Sequence, residues 1–170
     1  MAFDLPRVEP NSDIETLFKA VGFVVVQWGL AEQSLDLIVA NIFHSFNGHH
    51  LLKRRLQNLE PKIKFIRDCF SEIPELKSFS AEGNALLTRF SAAGKKRNDI
   101  VHSAIASLSI EDGSFRFLKI DVLPKEHHSV REVLLEDSDW KSFRKELLRL
   151  GKDGQHLAQN ICSSTNQGRS

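Results

Sequence analysis

Apolar residues recur every three or four positions along most of this chain, which is the spacing of an amphipathic α-helix. The longest such run begins at Ser12, which can cap a helix start, and is broken by Phe46-Asn47-Gly48. Its apolar positions are Leu17, Val21, Val24, Trp28, Leu35, Val39 and Ile42. The pattern therefore predicts one long first helix over residues 12–44.

Four shorter helices are predicted over residues 51–59, 61–70, 80–103 and 138–157. Pro61 suits the first turn of the third helix, because the first backbone N–H groups of a helix have no partner within it. Ser80 and Ser138 can cap the fourth and the last helix. Gly151 and Gly154 weaken the helical pattern of the last one. The polar residues 163–170 are predicted to form a flexible tail.

The hydrophobic period changes to two between the fourth and the last helix. Apolar and polar residues alternate over 106–110 and again from Phe115, and Glu111-Asp112-Gly113 indicates a turn between them. This pattern predicts a β-hairpin inserted over residues 104–135, with a third short strand near 130–135.

The composition fits one globular domain over residues 1–170, since 41% of residues are hydrophobic and 26% are charged. Together with the elements above, it predicts a mainly α fold, an up-and-down bundle of about five helices with a small inserted β-hairpin. The net charge of +1 excludes a wholly basic surface of the kind that binds long duplex DNA. No run approaches the roughly 18 apolar residues of a membrane span, and residues 1–6 do not resemble a signal peptide. Two cysteines without metal or disulfide spacing suit a reducing cytoplasm.

The residues with most chemical content end the fourth predicted helix, in the segment Arg97-Asn98-Asp99-Ile100-Val101-His102. Asn98 and His102 are four residues apart and share one helix face, whereas Arg97 lies about 100° round the helix and extends an apolar row. RNA carries its own nucleophile, the 2′-hydroxyl, so a protein that cuts it needs a proton acceptor, a cation for the phosphate and positioning groups. Histidine titrates near neutrality, arginine can bind two phosphate oxygens at once, and Asn98 can hydrogen-bond the phosphate or orient His102. These residue types predict attack on a phosphodiester without a metal.

A carboxylate interrupts the apolar row of the first helix at Glu32, between Trp28 and Leu35. A carboxylate in such a row needs a hydrogen-bond donor. We therefore predict that the first and fourth helices pack together and that Glu32 meets Arg97 or His102, where it would fix the imidazole tautomer or hold the arginine in place.

Each of these four residues also has a purely structural interpretation. A histidine at a helix C-terminus is favoured by the helix dipole, an arginine can reach water from an apolar row, and Asn98 and Glu32 can be ordinary surface residues. Lys95 and Lys96 are candidate phosphate-binding residues, with a solvated helix face as the alternative. The adjacent pairs His49-His50 and His127-His128 point apart in helix or strand, so the sequence predicts no metal site and no cofactor.

The Arg-Asn-x-x-x-His spacing in a small helical chain resembles the HEPN superfamily (higher eukaryote and prokaryote nucleotide-binding), over about residues 12–103 and the last helix. The resemblance implies a helical bundle, often a homodimer, in which the arginine and histidine of both subunits line one cleft. It implies that RNA is the substrate, that Arg97 and His102 are the catalytic pair, and that Asn98 is the adjacent polar residue. It also implies a toxin or a phage-defence factor, with an antitoxin or a nucleotidyltransferase as partner. The β-hairpin departs from a minimal bundle.

Three functions are therefore open at the level of sequence. The first is a metal-independent endoribonuclease with His102 as general acid/base and Arg97 stabilising phosphate charge. The second is a non-catalytic helical module that binds nucleotides or RNA, or dimerises. The third is purely structural, with Glu32, Arg97 and His102 forming one buried polar network.

Overall fold

A computed structural model describes residues 12–52, 56–109, 113–121 and 129–167 of the chain. These residues form four α-helices and one three-stranded antiparallel sheet. In chain order the elements are α1 (Ser12–Ser45), a 3₁₀ helix (Gly48–Leu51), α2 (Leu59–Glu72), a second 3₁₀ helix (Pro74–Phe79), α3 (Ser80–Val101), β1 (Ala104–Ser109), β2 (Ser114–Asp121), β3 (Ser129–Leu135) and α4 (Asp137–Gln167). The mainly α fold class is confirmed, with four α-helices in the described ranges rather than about five.

The helix predicted over residues 51–59 is wrong. The first 3₁₀ helix ends at Leu51, Leu52 is extended, and α2 begins only at Leu59; residues 53–55 lie outside the described residues. The leucines of this stretch nevertheless pack against the core. Their apolar spacing therefore reflects a connection that follows the core surface, and not a helix.

The direction of α1 relative to α2 contradicts an up-and-down bundle. Lys62, near the start of α2, bonds to Asp36 of α1 at 2.8 Å. Farther along both helices the rings of Phe43 and Phe65 lie 5.3 Å apart. The two helices therefore run in the same direction, which is possible because the connection from Ser45 to Leu59 is long enough to bring the chain back.

α1 also runs parallel to α4, with which it makes its most extensive contacts. Ser34 packs on Gly154, where a Cβ atom would lie 2.8 Å from the Ser34 Cβ. Further along, the Asn41 side-chain amide donates to the Ala158 carbonyl at 2.9 Å. The predicted weakness at Gly154 is thus a point of close helix approach, and the helix continues through it.

Helix α3 runs opposite to α2 and α4. Arg89 bonds to Glu146 at 2.7 Å, and Lys96, two turns later in α3, lies over the ring of Phe143, which is earlier in α4. The predicted packing of α1 on α3 is confirmed by the edge-to-face contact of Trp28 with Phe90, 6.2 Å between ring centroids. The C-terminal end of α3, which carries the motif, therefore lies beside the start of α4.

The predicted β insertion is confirmed, and it has three strands in the order β1-β2-β3. Residues 110–112 and 122–128 lie outside the described ones. On β2 the side chains of Phe115 and Phe117 are buried, as is Leu135 of β3, and the Phe115 ring contacts Trp140 at 5.6 Å. The inner face of the sheet is therefore anchored on the first turn of α4, next to the end of α3.

The predicted flexible tail over 163–170 is wrong in its first part, because α4 continues to Gln167. A helix continues through polar residues when its earlier turns are fixed by packing, and Leu157, Ala158 and Ile161 are all buried. Residues 168–170 are not among those described.

By length and composition alone, α1 is apolar enough to cross a membrane over Ile14–Ser45, since it contains an 18-residue window with a mean hydropathy of 1.4. The expectation that no segment reaches such a length is therefore corrected. Core helices of globular bundles pass the same test; one face of α1 lies in the bundle core, with Val24, Leu35 and Ile42 completely buried, although only 17% of the apolar window is buried. The feature is weak evidence for a membrane span.

Candidate functional site

Arg97 and Asn98 lie in the last turns of α3, and His102 is the residue at which the chain leaves the helix. The backbone N–H of His102 still donates to the Asn98 carbonyl at 3.1 Å, so the helical spacing of four residues holds up to His102. Its φ of −107° and ψ of 19° then turn the chain towards β1. His102 therefore lies at the junction between the end of α3 and β1.

The structure brings the side chains of Arg97, Asn98 and His102 together. The Arg97 Nη1 donates to the Asn98 Oδ1 at 2.8 Å and lies 3.4 Å from the His102 Nε2. A guanidinium has no acceptor, so a hydrogen bond at this contact requires Nε2 to be the unprotonated ring nitrogen. An unprotonated nitrogen beside a cation is the state that a general base needs before reaction.

The three side chains differ in their access to solvent. Asn98 and His102 are exposed, and Arg97 is half-buried. The Arg97 Nε is completely buried and has no hydrogen-bond partner. The Nη2 atom also has no partner within the described residues, but it is not completely buried. A buried donor without a partner is unusual in a folded protein. The Arg97 guanidinium is therefore buried at Nε, and its Nη2 donor group is not completely buried.

The predicted contact of Glu32 with Arg97 or His102 is wrong. Glu32 accepts from the Trp28 indole at 2.9 Å and from the Lys62 ammonium at 3.2 Å. Lys62 is 6% exposed; burial by itself lowers its pKa, but the bonds to Asp36 and Glu32 outweigh burial and raise it. Lys62 is the buried charge that needs compensation, and Glu32 and Asp36 supply it.

We expect Glu32→Gln to leave RNA cleavage unchanged and to lower the free energy of unfolding by about 1 kcal/mol, since one charge-assisted bond to Lys62 is lost at a partly exposed site. Urea denaturation and an RNA cleavage assay on the same sample check this. Loss of cleavage by a folded Glu32→Gln variant would show that Glu32 belongs to the site after all.

The two candidate phosphate-binding lysines differ in their surroundings. Lys95 is exposed and has no side-chain partner in the described part of the chain. Lys96 lies 5.4 Å from the Phe143 ring centroid and 3.9 Å from the Asp139 carboxylate. Lys96 is therefore turned towards α4, on another side of α3 from Asn98, and only Lys95 remains available beside the trio.

The sheet is tied to the motif through Asp99. The Asp99 Oδ1 accepts from Lys119 of β2 at 2.5 Å and from Arg131 of β3 at 2.6 Å. Arg131 also bonds to Asp121 at 2.7 Å, and the Ser103 hydroxyl donates to the Asp99 carbonyl. These bonds fix the end of α3 against the sheet, directly before His102.

Acid should release this connection. Burial by itself raises the pKa of Asp99, but the hydrogen bonds from Arg131 and Lys119 outweigh burial and lower it. A carboxyl with a lowered pKa in the folded state stabilises the fold above its unfolded pKa of about 4, and this stabilisation is lost as the pH falls through the folded value. We expect the native chain to have a higher free energy of unfolding than Asp99→Asn near neutral pH, and this difference to disappear as the pH falls through the folded-state pKa of Asp99. Urea denaturation at a series of pH values measures the difference. A difference that does not change with pH would contradict the connection.

Three cations that hold these elements together were not predicted from the sequence: Lys62, Lys119 and Arg131. Lys62 shares the inner face of α2 with Ile66 and Cys69 at helical spacing, and Lys119 shares the inner face of β2 with Phe117 at strand spacing. A cation at an inward position is a signal for a buried or half-buried carboxylate partner. The inward position of these cations can be recognised from the sequence only when the residues at which each helix and strand begins and ends are known.

Among the described residues no group of three or more histidine, cysteine, aspartate or glutamate side chains could hold a metal ion. No protein-family model, no curated protein and no solved structure matches this chain. The function is therefore argued from the geometry of Arg97, Asn98 and His102 and from the motif they form.

Proposed function

We propose that this protein is a HEPN-type, metal-independent endoribonuclease of the cytoplasm, with its active site at Arg97, Asn98 and His102. The observation that carries the proposal is the placement of the Arg97 guanidinium 3.4 Å from the Nε2 of an exposed histidine. The pair supplies a proton acceptor and a cation at one solvent-reachable point. Acid–base and electrostatic catalysis of phosphodiester cleavage require both.

In the reaction we propose, the His102 Nε2 removes the proton of a ribose 2′-hydroxyl. The 2′-oxygen forms a bond to the adjacent phosphorus, and the bond from phosphorus to the 5′-oxygen breaks. The imidazolium returns its proton to the 5′-oxygen. The products are a 2′,3′-cyclic phosphate and a free 5′-hydroxyl.

Arg97 and Asn98 have separate parts in this scheme. The Arg97 Nη2 donates to a phosphate oxygen as negative charge grows on it, while Nη1 stays with Asn98. Asn98 thereby keeps the guanidinium oriented beside the imidazole. The bond between Arg97 and His102 is long, so a substrate hydroxyl can replace it.

The test is incubation of the purified protein with end-labelled RNA in the presence of EDTA. We expect cleavage, cyclic-phosphate ends, and no cleavage of the same strand carrying 2′-deoxyribose. Intact RNA after incubation with folded protein would overturn the proposal.

A second candidate function is a non-catalytic module that binds RNA, and one observation favours it. Arg97, Asn98 and His102 already hydrogen-bond to one another, so the trio has a structural role without substrate. Under this alternative the protein binds RNA through Lys95 and Arg97 and leaves it uncut.

The partners implied by the HEPN resemblance remain predictions. They are a second copy of the chain and an antitoxin or nucleotidyltransferase, in a toxin or phage-defence role. Exposed apolar side chains on the outer face of α1, such as Phe18 and Val26 at 70% and 60% exposure, are available for such contacts. Light scattering of the purified chain measures whether it forms a dimer.

A further inference from the structure

Two cations of the sheet lie directly opposite each other beside the candidate site. Lys119 of β2 and Arg131 of β3 are register partners, and both donate to the same oxygen of Asp99. Like charges at directly opposed positions destabilise an antiparallel pair. The neighbouring inward pair in this sheet, Phe117 and Val133, is apolar, so the pairing of β2 with β3 does not by itself require charge at this place.

Both cations reach solvent. The side chain of Lys119 is 20% exposed and that of Arg131 is 43% exposed. Arg131 uses Nη2 on Asp99 and Nε on Asp121, and an arginine has five N–H donors. The Nη1 group has no partner in the described residues and can receive a further anion.

The helix geometry places these cations on the same side of α3 as His102. Asp99 precedes His102 by three residues and follows Lys95 by four, so the three side chains share one side of α3. The cations bonded to Asp99 are therefore expected on the side of α3 from which His102 extends. Lys95 extends from the same side of α3 as Asp99, to which Lys119 and Arg131 are bonded.

We propose that Lys119 and Arg131 bind a phosphate of the RNA backbone next to the scissile phosphate, and that Asp99 holds the two cations in position until RNA arrives. This site rests on the proposed function and extends it, because it makes the inserted sheet part of the substrate-binding surface. Bidentate binding of a phosphate by arginine and a point charge from lysine are the usual means of backbone recognition. The alternative is that the two cations serve only to neutralise Asp99.

The experiment measures binding of a short single-stranded RNA whose 2′-hydroxyls are all methylated, so that it cannot be cut. We expect Lys119→Gln and Arg131→Gln each to weaken binding several-fold. Each should also reduce the slope of log affinity against log salt, by at most about 0.7, the value for one lost phosphate contact on a single strand. Asp99→Asn should change the RNA affinity in the opposite direction and tighten binding, since it removes a carboxylate that competes with the phosphate for Lys119 and Arg131.

The outer face of the same sheet offers a matched control. Arg116 and Glu132 form an ion pair there at 2.7 Å, and Arg116→Gln and Glu132→Gln change the charge by the same amounts. We expect both to leave the affinity and the salt slope close to native values. If only the net charge of the protein mattered, these two variants would change the RNA affinity as much as the variants at Asp99, Lys119 and Arg131.

The outcomes separate the two proposals. Tighter binding by Asp99→Asn cannot result from unfolding, so that variant supports the site even where Lys119→Gln is unstable. If native protein cuts RNA and the inner-face variants bind like the outer-face ones, the sheet site is wrong and the catalytic proposal stands. If native protein neither binds nor cuts RNA, both are wrong.

Discussion

His102→Ala is expected to reduce RNA cleavage by about 10²–10⁴-fold, the usual contribution of a general acid–base group. The physical reason is the loss of the Nε2 that lies 3.4 Å from Arg97, which leaves the 2′-hydroxyl without a proton acceptor. Arg97→Ala should reduce the rate of RNA cleavage by about 10²–10³-fold, the usual effect of removing one hydrogen-bond donor to a developing negative charge. Initial rates on a labelled RNA, with protein well above the substrate concentration, give these ratios directly.

His156 provides the matched control for this experiment. It is an exposed histidine whose ring contacts Asn160 in the second half of α4, whereas the motif lies beside the first half of that helix. His156→Ala should cleave at the native rate. Equal rates for native protein, His102→Ala and His156→Ala, all folded by circular dichroism, would rule out the catalytic role of His102.

Gly154→Ala is expected to destabilise the fold by about 1–3 kcal/mol, the usual range for overpacking a core. A Cβ at this position would lie 2.8 Å from the Ser34 Cβ, and the Ser34 hydroxyl is closer still. The parallel helices α1 and α4 would have to separate along their contact. Alanine also gains about 1 kcal/mol of helix propensity over glycine, so the measured loss is what remains after that gain.

Gly151 is the control, one turn earlier in the same helix. A Cβ there would meet only the Ala31 backbone, at 3.9 Å, which is ordinary contact. Gly151→Ala should therefore raise the free energy of unfolding by up to about 1 kcal/mol. Ser34→Gly combined with Gly154→Ala should recover part of the loss, and a double-mutant cycle measures this coupling. Equal effects at Gly151 and Gly154 would contradict the close approach.

The sequence predicts the long helices and the sheet well because their patterns are long and continuous. The first helix, expected over 12–44, is observed at Ser12–Ser45, and the third strand, expected near 130–135, is observed at Ser129–Leu135. The proximity of Asn98 and His102 is also predictable, since a spacing of four residues in a helix fixes it, whereas the contacts of Arg97 with both side chains were not predicted. These predictions are local and need no knowledge of what packs against what.

The errors concern partners and directions. Periodicity tells that Glu32 faces inwards, but it does not tell which helix supplies the donor, and Lys62 of α2 takes that position. Likewise, apolar residues at helical spacing do not tell in which direction two helices run relative to each other. The parallel arrangement of α1 with α2 and α4 therefore could not be predicted from them. The contribution of Lys119 and Arg131 was hidden because it depends on the register between two strands.

The parallel pairing of α1 with α4 also determines how the chain can fold. The helix that makes the most extensive contacts with α1 comes after every other described element. During synthesis the apolar inner face of α1 therefore remains uncovered on that side until α4 has left the ribosome, and contacts between such distant segments slow folding. A nascent chain that stops within the sheet would expose this face to the chaperones and proteases of the cell.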